Sequence, residues 1–99
     1  RNWVKPKIHS TADLMVQGLV PQVDYALENV RTLMRQAGGT FDDIVALTIL
    51  VQRLTDAPTI VERLRSAFPD DDHMPAMRFL RYNLPEHLEV QLHVTAVID

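Results

Sequence analysis

The 99-residue sequence contains no cysteine, only 3 glycines and a single tryptophan. Without cysteine, disulfide frameworks, thiolate zinc sites and cysteine nucleophiles are excluded. No apolar run reaches the roughly 18 residues that a membrane-spanning helix needs, so the sequence predicts no membrane partner. No signal peptide is visible, and the expected compartment is therefore the cytoplasm.

Positive charge is also scarce, with 10 Lys+Arg against 13 Asp+Glu, a net charge of −3 and no basic run. This balance argues against a protein that binds nucleic acid or a membrane surface through charge. The length fits one domain over residues 1–99. A chain of this size buries only about two thirds of its unfolded surface, so association with further copies would add useful stability.

Two helices are predicted by apolar residues at i, i+3, i+4 and i+7. The first covers about residues 22–37 and ends at Gly38-Gly39, since glycine easily adopts the left-handed conformation of a helix C-terminus. The second follows the N-cap candidates Thr55 and Asp56 and ends at Pro69.

The remaining segments read as strands. Short apolar pieces in the first twenty residues predict two short strands, and the apolar run 44–51 predicts a strand buried on both sides. The last third predicts two more, over 76–84 and, with clean alternation, over 88–98. The order ββ-α-β-α-ββ favours an α+β fold with both helices on one face of a mixed sheet.

The second face of such a sheet is left to solvent or to a partner. We expect Val97, Met77 and Phe79 on or near that face, and Met and Phe are enriched at interfaces. Self-association would cover it, and the polar residues Gln91 and His93 at its margin would then line an inter-subunit cleft.

The sequence offers little for a metal or an organic cofactor. The run Asp70-Asp71-Asp72 is most simply a solvated loop, with an oxygen-ligand metal site as the alternative. His9, His73 and His87 lack the spacing of metal ligands. No phosphate-binding glycine loop is present, so we predict no cofactor.

Several motifs together resemble one known family. Residues 16–21 read VQGLVP, residues 26–30 read ALENV and residues 36–45 read QAGGTFDDIV. Pro75-Ala76, Leu84-Pro85 and the closing 89–92 EVQL follow in the same order. This pattern is similar to that of the RidA/YjgF family, the reactive imine and enamine deaminases.

The resemblance implies a chorismate-mutase-like fold and a homotrimer whose sheets form a central barrel with three clefts between subunits. It implies hydrolysis of 2-aminoacrylate and related enamines or imines to a keto acid and ammonia, without metal or organic cofactor. Family members usually have an additional short strand before the first helix. We therefore expect either a shortened loop between Pro21 and Gln22 or, as the favoured alternative, a disordered segment left out of the sequence there.

The family's functional positions carry over with substitutions. Its substrate-clamping Arg falls at Met77, so Arg78 can replace it only if a bulge or slip turns its side chain, with Arg81 as the other candidate. Its activating Glu falls at His93. We predict His93 and Arg78 as catalytic residues and expect substrate contacts from a second group, Gly18, Arg81, Met77, Gln91 and Trp3.

Two functions follow from this pattern. The first is a deaminase in which an Arg holds the substrate carboxylate and His93 activates water and passes the proton. The alternative is a non-catalytic trimer that binds a small metabolite or a partner protein, because the family's Arg, Glu, Tyr and Asn positions are substituted.

Overall fold

The computed structural model describes residues 2–4, 16–68, 70–85 and 87–98. These residues form two α-helices, α1 (Leu19–Gln36) and α2 (Ala57–Ala67). They also form four strands, β1 (Asn2–Val4), β2 (Ile44–Val51), β3 (Ala76–Arg81) and β4 (Val90–Ile98). The predicted α+β class with two helices and a mixed sheet is confirmed.

The four strands form one sheet in the order β1-β4-β2-β3. β4 runs antiparallel to both β1 and β2, whereas β3 runs parallel to β2. The parallel pair requires a crossover connection, and α2 supplies it. β4, the most regularly alternating segment of the sequence, therefore lies inside the sheet with a partner on each side.

One face of the sheet packs against both helices and forms the core. Along β4 burial alternates residue by residue, with every second side chain from Val90 to Ile98 buried. The apolar stripes of α1 and α2 cover these side chains, because their i, i+3, i+4 spacing places them on one side of each helix. The core residues with at most 1% exposure are Val23, Val30, Met34, Ile49, Val51, Ile60, Leu64, Leu92, Val94 and Ala96.

The first helix begins earlier than predicted. Leu19 and Val20, expected in a strand, form the first turn of α1. Pro21 suits that turn, since an N-terminal helix residue needs no intrahelical N–H bond. Pro21 and Gln22 follow one another within α1, and the omitted segment stays a prediction. The second short strand predicted in the first twenty residues falls largely on residues 5–15, outside those described.

The expectation that Met77 and Phe79 lie on the second face of the sheet is wrong. In β3 they pair with Leu47 and Ile49 of β2, both buried on the helical side. Met77 and Phe79 accordingly pack, partly buried, against the core. Val97 alternates with the buried Ala96 and Ile98 and so lies on the second face, as predicted.

An ion pair joins the two helices on their outer side. Arg63 in α2 donates from Nε and Nη2 to the two carboxylate oxygens of Asp24 in α1, at 2.6 and 2.7 Å. These hydrogen bonds lower the pKa of Asp24 below its ordinary value, because they favour the ionised carboxylate. Both side chains are more than two fifths exposed, so solvent screens the interaction.

Replacing Asp24 by asparagine should lower the free energy of unfolding slightly at neutral pH. A depressed carboxylate pKa contributes stability above the unfolded value of about 3.9, and this contribution is lost as the pH falls through the folded value. The difference between wild type and D24N should therefore vanish in acid, as measured by urea unfolding between about pH 2 and 7. Glu62→Gln removes a neighbouring exposed carboxylate of α2 as the control, and an equal pH dependence for both variants would contradict the assignment.

Candidate functional site on the far face of the sheet

The two predicted catalytic residues lie in one row across the sheet. Thr48 in β2 pairs with His93 in β4 and, on its other side, with Arg78 in β3. Paired residues of neighbouring strands project to the same face, so His93 and Arg78 share the side opposite the helices, here called the far face. Strands lie about 4.8 Å apart, which puts the Cα atoms of His93 and Arg78 roughly 10 Å apart.

Arg78 reaches the far face without a bulge in β3. The register between β2 and β3 is unbroken over all 6 residues of the strand. The expected need for a bulge depended on Met77 facing this side, and Met77 instead faces the core. Arg78 is exposed, whereas Thr48 and His93 are half-buried, so the row opens towards the β3 edge of the sheet.

The remaining predicted site residues do not all join this row. Gln91 lies on the far face one step along β4 from His93, opposite Leu50. Arg81 pairs with the buried Val51, and its Nη1 donates to Asn83 Oδ1 at 2.7 Å.

Two further predicted residues lie elsewhere in the fold. Trp3 pairs with Val97 across β1 and β4, so the backbone of β1 borders the far face. Gly18 adopts φ +96°, a left-handed conformation that glycine tolerates, directly before α1, and its carbonyl accepts from Gln22 N at 3.1 Å.

Two side-chain amides that the sequence did not predict as functional, one buried and one half-buried, hold the loop that leads into β4. Gln22, 3% exposed, donates from Nε2 to His87 O at 3.0 Å and to Val16 O at 3.3 Å, and its Oε1 accepts from Glu89 N at 2.7 Å. Gln52 Nε2 donates to Leu84 O at 2.6 Å and to Leu88 O at 3.3 Å. The start of β4 is thereby fixed against both α1 and β2, which positions the strand that carries Gln91 and His93. A signal for Gln22 existed, because it continues the buried stripe of α1 four residues before Ala26.

Gln22→Leu should destabilise the protein by about 1–3 kcal/mol. Leucine fills similar space but leaves the buried N–H of Glu89 and the carbonyl of His87 without this partner, which costs the desolvation of each group. Gln36→Leu makes the same change at an exposed position of α1 and should alter stability by no more than about 0.5 kcal/mol. Denaturant unfolding of both variants decides the matter, and equal losses would show that the hydrogen bonds of Gln22 contribute nothing.

The acidic run before β3 forms a short turn. Asp70 accepts from the backbone N–H of Asp72 at 3.0 Å and contacts Nδ1 of His73. The hydrogen bond between these side chains, together with their opposite charges, lowers the pKa of Asp70 and raises the pKa of His73. Within the described part of the chain, no three carboxylate or imidazole side chains converge as metal ligands.

Three grooves on the helical side lie away from this row. The two larger ones, of about 570 and 300 Å³, share Arg63 and Ser66 of α2. A third, of about 220 Å³, lies beside the C-terminal end of α1 and includes Gly39 and Phe41. None of the three contains His93 or Arg78. Among the described helices, none is long and apolar enough to cross a membrane.

Sequence comparison matches the chain to a known family. Residues 5–98 match the sequence model of the family described as endoribonuclease L-PSP. Among curated proteins, sequence comparison finds no match.

Solved structures share the fold. The Rid-family protein YyfA of Yersinia pestis is 26% identical, with a TM-score of 0.79 over 90% of this chain and 71% of that chain. TdcF of E. coli, solved with bound serine, is 27% identical, with a TM-score of 0.72 over 83% of this chain and 66% of that one. The YjgF gene product of E. coli is 26% identical, with a TM-score of 0.72 over 81% of this chain and 65% of that one. The protein described here thus spans about two thirds of the length of these solved chains. It belongs to the endoribonuclease L-PSP family, the family of the Rid and YjgF proteins.

Proposed function

We propose that the protein is a deaminase that hydrolyses a reactive imine or enamine of a small acid to a carbonyl compound and ammonia. The supporting observation is the shared row of His93, Thr48 and Arg78, which places a guanidinium and an imidazole on one surface opposite the helices. Arg78 would bind the substrate carboxylate, because a guanidinium supplies charge and paired hydrogen bonds together. His93 would transfer protons to the substrate nitrogen and from the attacking water.

The reaction needs no co-reactant other than water. The His93 imidazolium gives a proton to the imine nitrogen, and the electron pair of the C=N double bond moves to that nitrogen as water oxygen bonds to carbon. The neutral imidazole takes a proton from the attacking water. It then protonates the amine, the C–N bond breaks to release ammonia, and the hydroxyl proton returns to His93. The imidazole thus ends the cycle in the protonation state in which it began.

We further propose that the site is completed in a homotrimer, as predicted from the resemblance. The far face carries apolar side chains that a lone chain leaves partly exposed, including Leu50, Leu80 and Val97. Covering them between subunits would stabilise this small domain and exclude water from the row. We propose the cytoplasm as the compartment, as the sequence predicts.

The alternative is a trimer that binds a small amino or keto acid without turnover. One observation favours it: the side chains of β2, β3 and β4 on the far face include no carboxylate that could act as a base. TdcF of E. coli, which is 27% identical, has been solved with bound serine, so this relative binds an amino acid.

An assay with trapped intermediates distinguishes the two functions. 2-Aminoacrylate and bulkier imines are generated in situ, the purified chain is added, and decay of the intermediate is followed together with ammonia release. Faster decay with stoichiometric ammonia is the expected result. No acceleration with any imine would reject the deaminase and leave the binding trimer. Sedimentation equilibrium measures the assembly, and a monomer would contradict the inter-subunit site.

A further inference from the structure

In β2, β3 and β4, the side chains on the far face of the sheet include no acidic group. The alternating residues of β2, β3 and β4 on this face are Ala46, Thr48, Leu50, Ala76, Arg78, Leu80, Gln91, His93, Thr95 and Val97. They include one guanidinium, one imidazole, one amide and two hydroxyls, although the whole chain has 13 acidic against 10 basic residues. The strand residues described on this surface are therefore neutral or cationic.

Among the described residues, a carboxylate that borders this face is paired with a neighbouring guanidinium. Glu89 precedes β4 and has the same parity as Gln91 and His93. Its carboxylate is paired with the guanidinium of Arg53, which follows β2 and also contacts Asp56 at 3.5 Å. An anion held over the row would thus meet hydrogen-bond donors and positive charge without an unpaired carboxylate from these strands.

Side chains of the neighbouring strands lie on both sides of Thr48. Arg78 of β3 and His93 of β4 pair with it, and Gln91 lies two residues along β4, opposite Leu50. The Cα separation of roughly 10 Å is shortened by the reach of the arginine side chain. An acid of about four or five carbons with a carboxylate at each end would span the remaining distance, with its imine carbon over Thr48.

From this arrangement, and resting on the proposed function, we propose that the substrate is a dicarboxylic imino acid. Arg78 binds the carboxylate next to the imine carbon, and the amide of Gln91 donates to the second carboxylate. The second carboxylate then lies beside His93 and favours the imidazolium form that protonates the nitrogen. A carboxylate at position 91 would repel this group, so Gln91 determines the specificity for the second charge.

Binding of stable keto acids tests the proposal without requiring turnover. Isothermal titration calorimetry of the full chain compares 2-oxoglutarate with 2-oxopentanoate, which has the same chain length and one carboxylate. We expect wild type to bind the dicarboxylate at least tenfold more tightly. Gln91→Glu should abolish or reverse this preference, whereas Gln36→Glu, the same change on the surface of α1, should retain it.

The outcomes separate this proposal from the deaminase. Equal affinity for the two acids, binding of neither, or an unchanged preference in Gln91→Glu would overturn the dicarboxylate assignment even if monocarboxylic imines are hydrolysed. A dicarboxylate preference that Gln91→Glu removes would support it even if the assay for imine decay finds no turnover, in which case only the deaminase fails.

Discussion

Replacing His93 by alanine should slow imine hydrolysis by about 10²- to 10⁴-fold, the usual contribution of a positioned general acid–base group. His93 supplies the imidazole of the row that also holds Arg78, and its backbone is paired with Thr48 of β2. Alanine removes the proton carrier while leaving the carboxylate-binding guanidinium in place. The loss is therefore expected in kcat, with KM changing much less.

The pH–rate profile adds a readout that a structural defect would not produce. A general acid–base group makes the rate depend on its own protonation state, so the wild-type rate should vary with pH in a way that the residual rate of H93A does not. His73→Ala is the matched control, because His73 lies in the exposed turn before β3 and pairs with Asp70. If H93A and H73A lost activity equally, or if H93A kept the wild-type profile, His93 would have no part in proton transfer.

Leu92→Ala should lower the free energy of unfolding by about 3 kcal/mol, within the 2–5 kcal/mol range of buried leucine truncations. Leu92 lies in β4 beside β2. Its side chain is 0% exposed and belongs to the core that the helices cover. Truncation loses the transfer free energy of the removed methyl groups and leaves a cavity that the close-packed core around it cannot readily fill. Such a loss is a large part of the stability of a domain of this size.

Leu54→Ala provides the same chemical change at a site that is 52% exposed, and it should alter the free energy of unfolding by less than about 0.5 kcal/mol. Unfolding in guanidinium measures the free energy of unfolding of both variants, and their m-values should equal that of wild type. A loss below about 1 kcal/mol for Leu92→Ala would show that the space beside β4 collapses around the smaller side chain.

Local sequence patterns predicted those elements whose burial repeats with a fixed period. The strand 44–51 matches β2 residue for residue, and the alternation over 88–98 identified both faces of β4. The alternation of Met77 and Phe79 with Ala76 and Arg78 also favoured the observed faces of β3, but their residue types suggested an interface. Residue type predicted the face of β3 less well than alternation did, because an edge strand such as β3 also buries apolar side chains against the core.

Contacts between residues far apart in the sequence could not be predicted. The row of His93, Thr48 and Arg78 depends on β3 pairing in parallel with β2, and no local pattern specifies which strand is the neighbour. Gln22 joins backbone groups 65 and 67 residues away, so its role requires the folded chain. Gly18 adopts a positive φ directly before α1, and the presence of a glycine in the sequence does not by itself reveal this conformation.

The position of β4 between β1 and β2 also constrains the order in which the protein can fold during synthesis. β4 is the last of the described strands to leave the ribosome, yet it is the strand that pairs with both β1 and β2. Until it emerges, β1 has no partner among the described strands, and of these strands only β2 and β3 are available for the apolar stripes of the helices to cover. The apolar surfaces of the nascent chain are therefore exposed and prone to aggregation until β4 is made, and only then can β1 pair with it.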